Sequence, residues 1–259
     1  MCGSSPTLGR RSRTRSRSRR SPVAAAFVQA LFTGQSKTAG TSLAITGSLT
    51  VTSGNFLAVA FASDDVGSGY SVTDNLGNTY TQAGSTITQA GSVKTMLFVA
   101  PVTTGGTLTT QTVSWTTNAT AKAAVSGEFS GLGTTYQTNG LATAGAFTCQ
   151  CFTGTGPDTI PTGGIGIGAC GWEGPNGDTI TASGGATVLV GHLGTTGGGA
   201  VSNITAALVY NTTAGQTFLA SADSTSRANA GVGVGYNAVS AFPPRAFVVD
   251  TAVARASSY

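Results

Sequence analysis

Four cysteines, one histidine and nine carboxylates are the residues of this 259-residue chain whose types could support chemistry. Cys149 and Cys151 stand in "CQC", a spacing that on a strand points both thiols to one face, an awkward geometry for joining each other. Cys170 follows nineteen residues after Cys151 and can bridge either one. Free buried thiols are the alternative, since cysteine packs as a small apolar residue. A zinc site would need Cys149, Cys151, Cys170 and His192 together, without the usual C-x-x-C spacing, and no metal is assigned. A chain of this length buries a large core, so folding is not expected to need a disulfide.

A Ser-His-Asp hydrolase would have to use His192, yet the chain has no G-x-S-x-G elbow. In "TVLVGHLG" the ring is expected on a strand, half covered. Two carboxylates can build a glycosidase. The candidates are Asp64, Asp65, Asp74, Glu128, Asp158, Glu173, Asp178, Asp223 and Asp250, most of them in turn-like contexts that use Asp for backbone reasons. Glu128 and Glu173, the only glutamates, fall at or just past strand ends. "DNLGN" (74–78) carries oxygens that suit calcium, but it lacks the dense carboxylates of calcium loops. In a turn, Asp74 and Asn75 bond the backbone two residues on while Gly77 takes positive φ. "GIGIG" and "GVGVG" alternate glycine with branched residues inside strands, and no helix follows, so they do not form a phosphate cradle. No catalytic residue, cofactor or enzymatic activity is expected. Sequons at Asn118, Asn203 and Asn211 are near the chance number for a chain this rich in Ser and Thr.

Seven of the thirteen basic residues (Arg10, Arg11, Arg13, Arg15, Arg17, Arg19 and Arg20) crowd into "GRRSRTRSRSRRSP". Without those seven, six basic residues face nine acidic ones, a balance of about −3. The isoelectric point near 9.0 thus describes the arm and not the body. Ser/Arg alternation without aromatics is disordered in isolation. Such an arm can neutralise phosphates of nucleic acid with a salt-dependent affinity, dock on an acidic protein surface, or be an inessential extension. The following "RRSPVAAAFVQALF" loosely resembles a twin-arginine export signal, but its apolar part is short and interrupted by Gln29.

These groups must be positioned by β-structure. Charged residues are only 8% of the chain, and Ser, Thr, Asn and Gly supply the polarity. No apolar run is long enough for a membrane-spanning helix. From Leu43 onward short β-type runs alternate with turn residues, among them "NFLAVAFA" (55–62), "KTMLFVA" (94–100), "TVSW" (112–115) and "KAAVSGEF" (122–129). "AFTCQCF" (146–152), "GGIGIGAC" (163–170), "ATVLVGHL" (186–193), "ITAALVY" (204–210), "QTFLA" (216–220) and "AGVGVGYNAV" (230–239) continue the series. "FLAVAFASDD" answers "GIGIGACGWEG", "TMLFVA" answers "AALVYNT", and "AAVSGEFSG" answers "GVGVGYNAV", each 108 to 111 residues later. The expected fold is all-β, a jelly-roll-like sandwich of two pseudo-repeats (about 43–131 and 163–240) joined through 133–162. The body is taken as 27–244, with a basic arm at 1–26 and a tail at 245–259.

"YSVTDNLGNTYTQAGS" (70–85), "TMLFVAPVTTGG" and "AKAAVSGEFSGLG" resemble the Gly/Thr-rich β-sandwich proteins of phage virions and related secreted bacterial domains. The pattern is an apolar strand, a "vtDnlGNtyt" turn, an aromatic strand ending in "apv", a Thr/Val strand and an "EysG"-like strand. Here these are Phe56 to Ala62, Asp74 to Thr81, Leu97 to Val102, Thr112 to Trp115, and Glu128 to Gly131. The resemblance extends over about 43–244, closing in "VGVGYNAVSAFPP", and the Arg-rich arm departs from it. It implies a non-enzymatic virion protein at the tail, fibre or capsid surface, tethered by the arm and present in many copies or as a homo-oligomer. Its partners would be other virion proteins, a host glycan or receptor, and nucleic acid through the arm. A secreted bacterial adhesion or carbohydrate-binding module is the alternative.

Overall fold

The computed structural model describes residues 23–151, 160–174, 177–183, 187–197, 202–215 and 221–239. All seven arm arginines, Cys2 and the 245–259 tail lie outside these residues, as does the expected strand at 216–220. The described residues form antiparallel strands without an α-helix, as the alternating runs and frequent turn residues require.

The first half closes a roll of its own. One sheet has the order β1 (Ala26–Ser36), β9 (Lys122–Ser130), β3 (Phe56–Asp64), β7 (Val93–Pro101) and β5 (Thr81–Gln82), with β6 (Ile87–Gln89) also on β7. A second sheet orders β2 (Gly40–Val51), β8 (Gly106–Ala119) and β4 (Ser71–Asp74). First and last strands are neighbours and the chain crosses between the sheets at every step except from β5 through β7, which is jelly-roll connectivity. Leu57, Val59, Phe61, Met96 and Phe98 face Leu43, Ile45, Leu108, Val113 and Trp115 across this roll. Phe61 and Trp115 lie 5.2 Å apart between ring centroids, with Tyr70 beside both. Burying each such large apolar side chain stabilises the fold by about 1.5–3 kcal/mol.

The second half repeats the plan with fewer breaks. Its sheet runs β10 (Leu132–Gln150), β15 (Ser221–Ala238), β11 (Ile165–Glu173), β14 (Ile204–Asn211) and β13 (Thr187–Gly194), with β12 (Thr181–Ala182) on β15. The strands β3, β7 and β9 thus reappear as β11, β14 and β15 in the same neighbour order, which is the recurrence read at offsets of 108 to 111. β10 and β15 are long enough to serve both layers. Register shifts at Thr143/Ala146 and Ala146/Thr148 mark where the ribbon bends. Its far portion folds back over the sheet, so that Cys149, Cys151, Ile180 and Ala222 pack on Cys170, Trp172, Ala207 and Val209.

The two rolls stack through the other faces of these sheets. Ala58, Ala60, Leu97, Val99, Val125 and Phe129 meet Ile165, Ile167, Ala169, Leu208, Val232 and Val234. The central strands are therefore covered on both sides, which explains why "FLAVAFA" reads as a continuous apolar run and not as an alternation. Small residues set the spacing. A Cβ on Gly171 would lie 2.1 Å from Thr95 Oγ1 and 2.8 Å from Ala62 Cβ, so only glycine fits there. The expected all-β sandwich of two repeats is present, and its layers are more numerous than two facing sheets, because each repeat covers its own core.

Three boundaries differ from the sequence-based ones. Residues 23–26 belong to the body: Val23 bridges Val239, and the buried Ala25 donates its N–H to the Gly163 carbonyl at 2.7 Å. "VAAAFVQALF" leads into edge strand β1, where Phe32 enters the first core and Phe27 stacks on Tyr210 at 5.1 Å. Residues 133–150 of the expected linker belong to strand β10. Their Thr/Ala/Gly sequence has no apolar alternation to announce a strand, and pairing with β15 supplies the order instead.

Candidate recognition surface

The ends of the body differ. β3 and β11 both start at the end where Val23 bonds Val239, Val239 bonds Gly131 and Ala25 bonds Gly163, which we term the base. Both finish at the opposite end, the tip, where Asp64 pairs with Val93 and Glu173 with Ile204. Val23 and Val239, the first and last of the described residues, therefore lie side by side at the base. The described parts of the loops at Gly67–Gly69, Gly174–Asp178 and Gly194–Gly199 all fall at the tip, together with the turns at 37–39, 90–92 and 120–121.

The tip loops are held by its charged residues. Asp64 Oδ2 accepts the N–H groups of Thr120 (3.0 Å) and Ala121 (2.8 Å). Asp65 pairs with Lys94 at 3.2 Å and accepts the Gly91 N–H at 2.8 Å. Asp178 pairs with Arg227 at 3.0 Å. Lys37 joins the two rolls: its ammonium donates to the Gly197 carbonyl (2.6 Å) and to Asn203 Oδ1 (3.0 Å). Lys122 is buried, donating to the Thr38 and Ala119 carbonyls with its nitrogen 5.7 Å from the Trp115 ring centroid, and burial lowers its pKa.

Shallow grooves open between these loops. One is lined by Phe147, Asp178, Thr179, Thr181, Ser224 and Thr225, with Phe147 67% exposed. A second lies among Gly67–Tyr70, Gln82, Thr86, Thr88 and Lys94, and a third between Gln35–Thr38 and Thr195–Thr196. Their linings combine hydroxyls, amides, the charged groups of Asp178, Lys94 and Lys37, and the exposed Phe147 ring, groups that suit reversible contact with a polar ligand.

The residues singled out for chemistry disperse. Glu128 is fully buried near the base, accepting from Gln29 Nε2 (2.6 Å), Thr52 N (2.9 Å) and Asn55 Nδ2 (2.7 Å). Glu173 closes β11 at the tip, so the two glutamates lie at opposite ends of their sheets. Asp74 Oδ1 accepts from Leu76 N (2.9 Å) and Asn78 N (3.1 Å), and Oδ2 from Asn78 Nδ2 (2.8 Å) and Tyr80 Oη (2.9 Å). Gly77 has φ 74°, as the turn required. Asn75 differs from the expected two-residue bond: its Oδ1 accepts from Thr109 N and Thr110 N, clamping the turn to β8. His192 is half-buried on β13 opposite Ala207, and desolvation lowers its pKa. Asp158 and Asp250 lie outside the described residues.

Cys149, Cys151 and Cys170 come together as free buried thiols, with Cys151 Sγ and Cys170 Sγ 3.1 Å apart. Burial pushes all three thiols up in pKa. Among the described residues no group of three or more His, Cys, Asp or Glu side chains is arranged to hold a metal ion. Of the sequons, Asn118 is exposed while Asn203 and Asn211 are buried. No helix among the described residues is long and apolar enough to cross a membrane. No family model, curated protein or solved structure matches the chain.

Proposed function

We propose that the chain is a non-enzymatic structural protein of a phage particle, exposed on the tail, fibre or capsid surface, with its arginine-rich arm as the tether. The observation that carries this is the polarity of the body. Val23 and Val239, where the described residues begin and end, are bridged at the base, while the grooves and their loops gather at the tip. A body anchored at its base presents the tip outward. Asp64, Asp65, Asp74 and Glu128 spend their carboxylates bracing turns and loops, which suits a rigid spacer better than a reaction centre.

In this reading the seven arginines bind packaged nucleic acid or an acidic face of a neighbouring virion protein. Either contact weakens with salt. Many copies on a symmetric particle give avidity, so each contact is individually weak. Deleting residues 1–22 leaves a folded body whose occupancy on particles, read by immunogold labelling, falls and becomes insensitive to salt. Unchanged occupancy and salt response would place attachment in the sandwich itself.

A secreted glycan-binding module is favoured by one specific observation: exposed Phe147 beside the hydroxyls of Thr179, Thr181 and Thr225 offers an apolar platform with polar neighbours. Labelling of the bacterial surface in place of particles, with sugar binding lost in Phe147→Ala, would favour that module over the virion protein.

A further inference from the structure

The second roll has an unusual core. In the first roll Phe61 of β3 fills the space between the sheets and packs against the rings of Tyr70 and Trp115 from the facing layer. The equivalent position on β11, 109 residues later, is Cys170, and the strand covering it brings Cys149 and Cys151. Three small thiols thus take the place of large apolar groups at the centre of a small sandwich. A core so reduced gives up part of its hydrophobic stabilisation. Trp172 on the same strand recovers only some of that volume, because it lies two positions further toward the tip.

The thiols are placed to offset this covalently. Cys151 and Cys170 come from the two facing layers, are both fully buried, and bring their sulfurs within 3.1 Å. Cys149 also interacts with the Cys170 thiol, but its position in the ladder differs. Cys149 is held in register opposite Ala222, and its sulfur lies against Gly231, 2.9 Å from where a Cβ there would sit. Cys151 follows the last ladder pair, Gln150 with Ser221, so its backbone can move the roughly 1 Å needed to reach a bond length of about 2.05 Å.

We propose that Cys151 and Cys170 form a single disulfide that staples the two layers of the second roll, with Cys149 remaining a thiol. The oxidant is a small disulfide such as oxidised glutathione. One protein thiolate attacks it and releases one glutathione thiol, giving a mixed disulfide. The second protein thiolate then attacks that mixed disulfide and releases the second glutathione. Two electrons pass to the external S–S bond, and the two protons lost by the cysteines end on the released thiols. In the closed roll the thiols are buried and protonated, so exchange proceeds while the far portion of β10 is lifted from β11. The protein folds in either state. The bridge closes a loop of about twenty residues and raises the melting temperature by roughly 4 to 10 °C, from the loop-entropy scale for such a closure and the usual enthalpy of a domain this size.

The full chain, prepared reduced, is incubated with oxidised glutathione in mild urea, returned to buffer, then denatured and treated with N-ethylmaleimide. Non-reducing digestion and fragmentation mass spectrometry identify the linked residues, so Cys2 does not confuse the result. The expected product has Cys151 joined to Cys170 and Cys149 alkylated. Cys149→Ser should bridge with unchanged yield, and Cys151→Ser should lose the bridge while still folding, as judged by its circular dichroism. Full alkylation of all three thiols in wild type would overturn the proposal, as would a Cys149–Cys170 link formed in preference.

Discussion

Val23 and Val239 pair with each other across an antiparallel bridge, the Val23 N–H donating to the Val239 carbonyl at 3.3 Å. These residues stand at the two limits of the described residues, and their contact closes the sandwich where both rolls meet. Val239 donates in turn to the Gly131 carbonyl at 3.2 Å, between the two repeats. The base is therefore a knot of backbone hydrogen bonds, which makes the limits of a safe truncation specific.

Removing residues 1–22 should leave the melting temperature within about a degree of the full chain, since none of the bonds above is touched. Removing 1–26 deletes the Val23 bridge and leaves the Gly163 carbonyl without its Ala25 donor. The expected cost is about 1–3 kcal/mol, on the scale of lost and unsatisfied backbone bonds. Thermal denaturation of the two truncations checks the difference, and equal melting temperatures would contradict the place given to 23–26.

Gly171→Val probes the stacking of the rolls. Its added carbons meet Thr95 Oγ1 and Ala62 Cβ inside a fully buried seam. Overpacking of this kind costs about 1–3 kcal/mol or more. Gly177, where an added Cβ meets nothing within 4 Å, is the control: Gly177→Ala should change stability far less. Urea unfolding of both variants measures this, and a neutral Gly171→Val would mean that the rolls separate easily.

Asp74→Asn should destabilise the protein although it preserves shape. The substituted amide keeps one acceptor for the Leu76 and Asn78 N–H groups. It turns a donor toward Asn78 Nδ2 and Tyr80 Oη, which already donate there. Tyr80 cannot easily reverse, because its oxygen accepts from Gln111 Nε2 at 2.8 Å. A loss of about 1–3 kcal/mol in denaturant titration is expected. Added calcium should not shift the wild-type melting temperature.

Alkaline pH should weaken the fold. Burial raises Tyr236 to about 12 and also raises Tyr70 and Tyr80 above the ordinary value of 10.0. Each is ionised in the unfolded chain before the folded one, so its contribution is complete below pH 10 and is lost as pH rises toward 12. Lys122 acts in the opposite sense: burial lowers its pKa, so the unfolded chain keeps that proton longer and its term becomes more favourable up to about 10.5. Three tyrosines outweigh one lysine. Melting temperatures between about pH 8 and pH 12, followed together with phenolate absorbance, test the sign.

Local sequence alone determined the all-β character, the central apolar strands, the turn at Asp74–Gly77 and the internal recurrence, because each shows in residues close together in the chain. Alternating glycine and branched residues in "GIGIG" exclude a helix wherever they stand, and Asp and Gly at their spacing make a tight turn from their own backbone chemistry. Tertiary structure decided what covers what. Nothing local tells that β3 is buried on both faces until the second roll lies against it, or that the Thr/Ala/Gly run of β10 is a strand until β15 pairs along it. The carboxylates and thiols divide in the same way. Glu128 and Glu173 look alike in sequence, yet the fold sets them at opposite ends of the body, while Cys151 and Cys170, nineteen residues apart, meet only because the β10 ribbon bends back over β11. Burial and contact between distant segments are properties of the closed sandwich, which is why they could not be read from spacing.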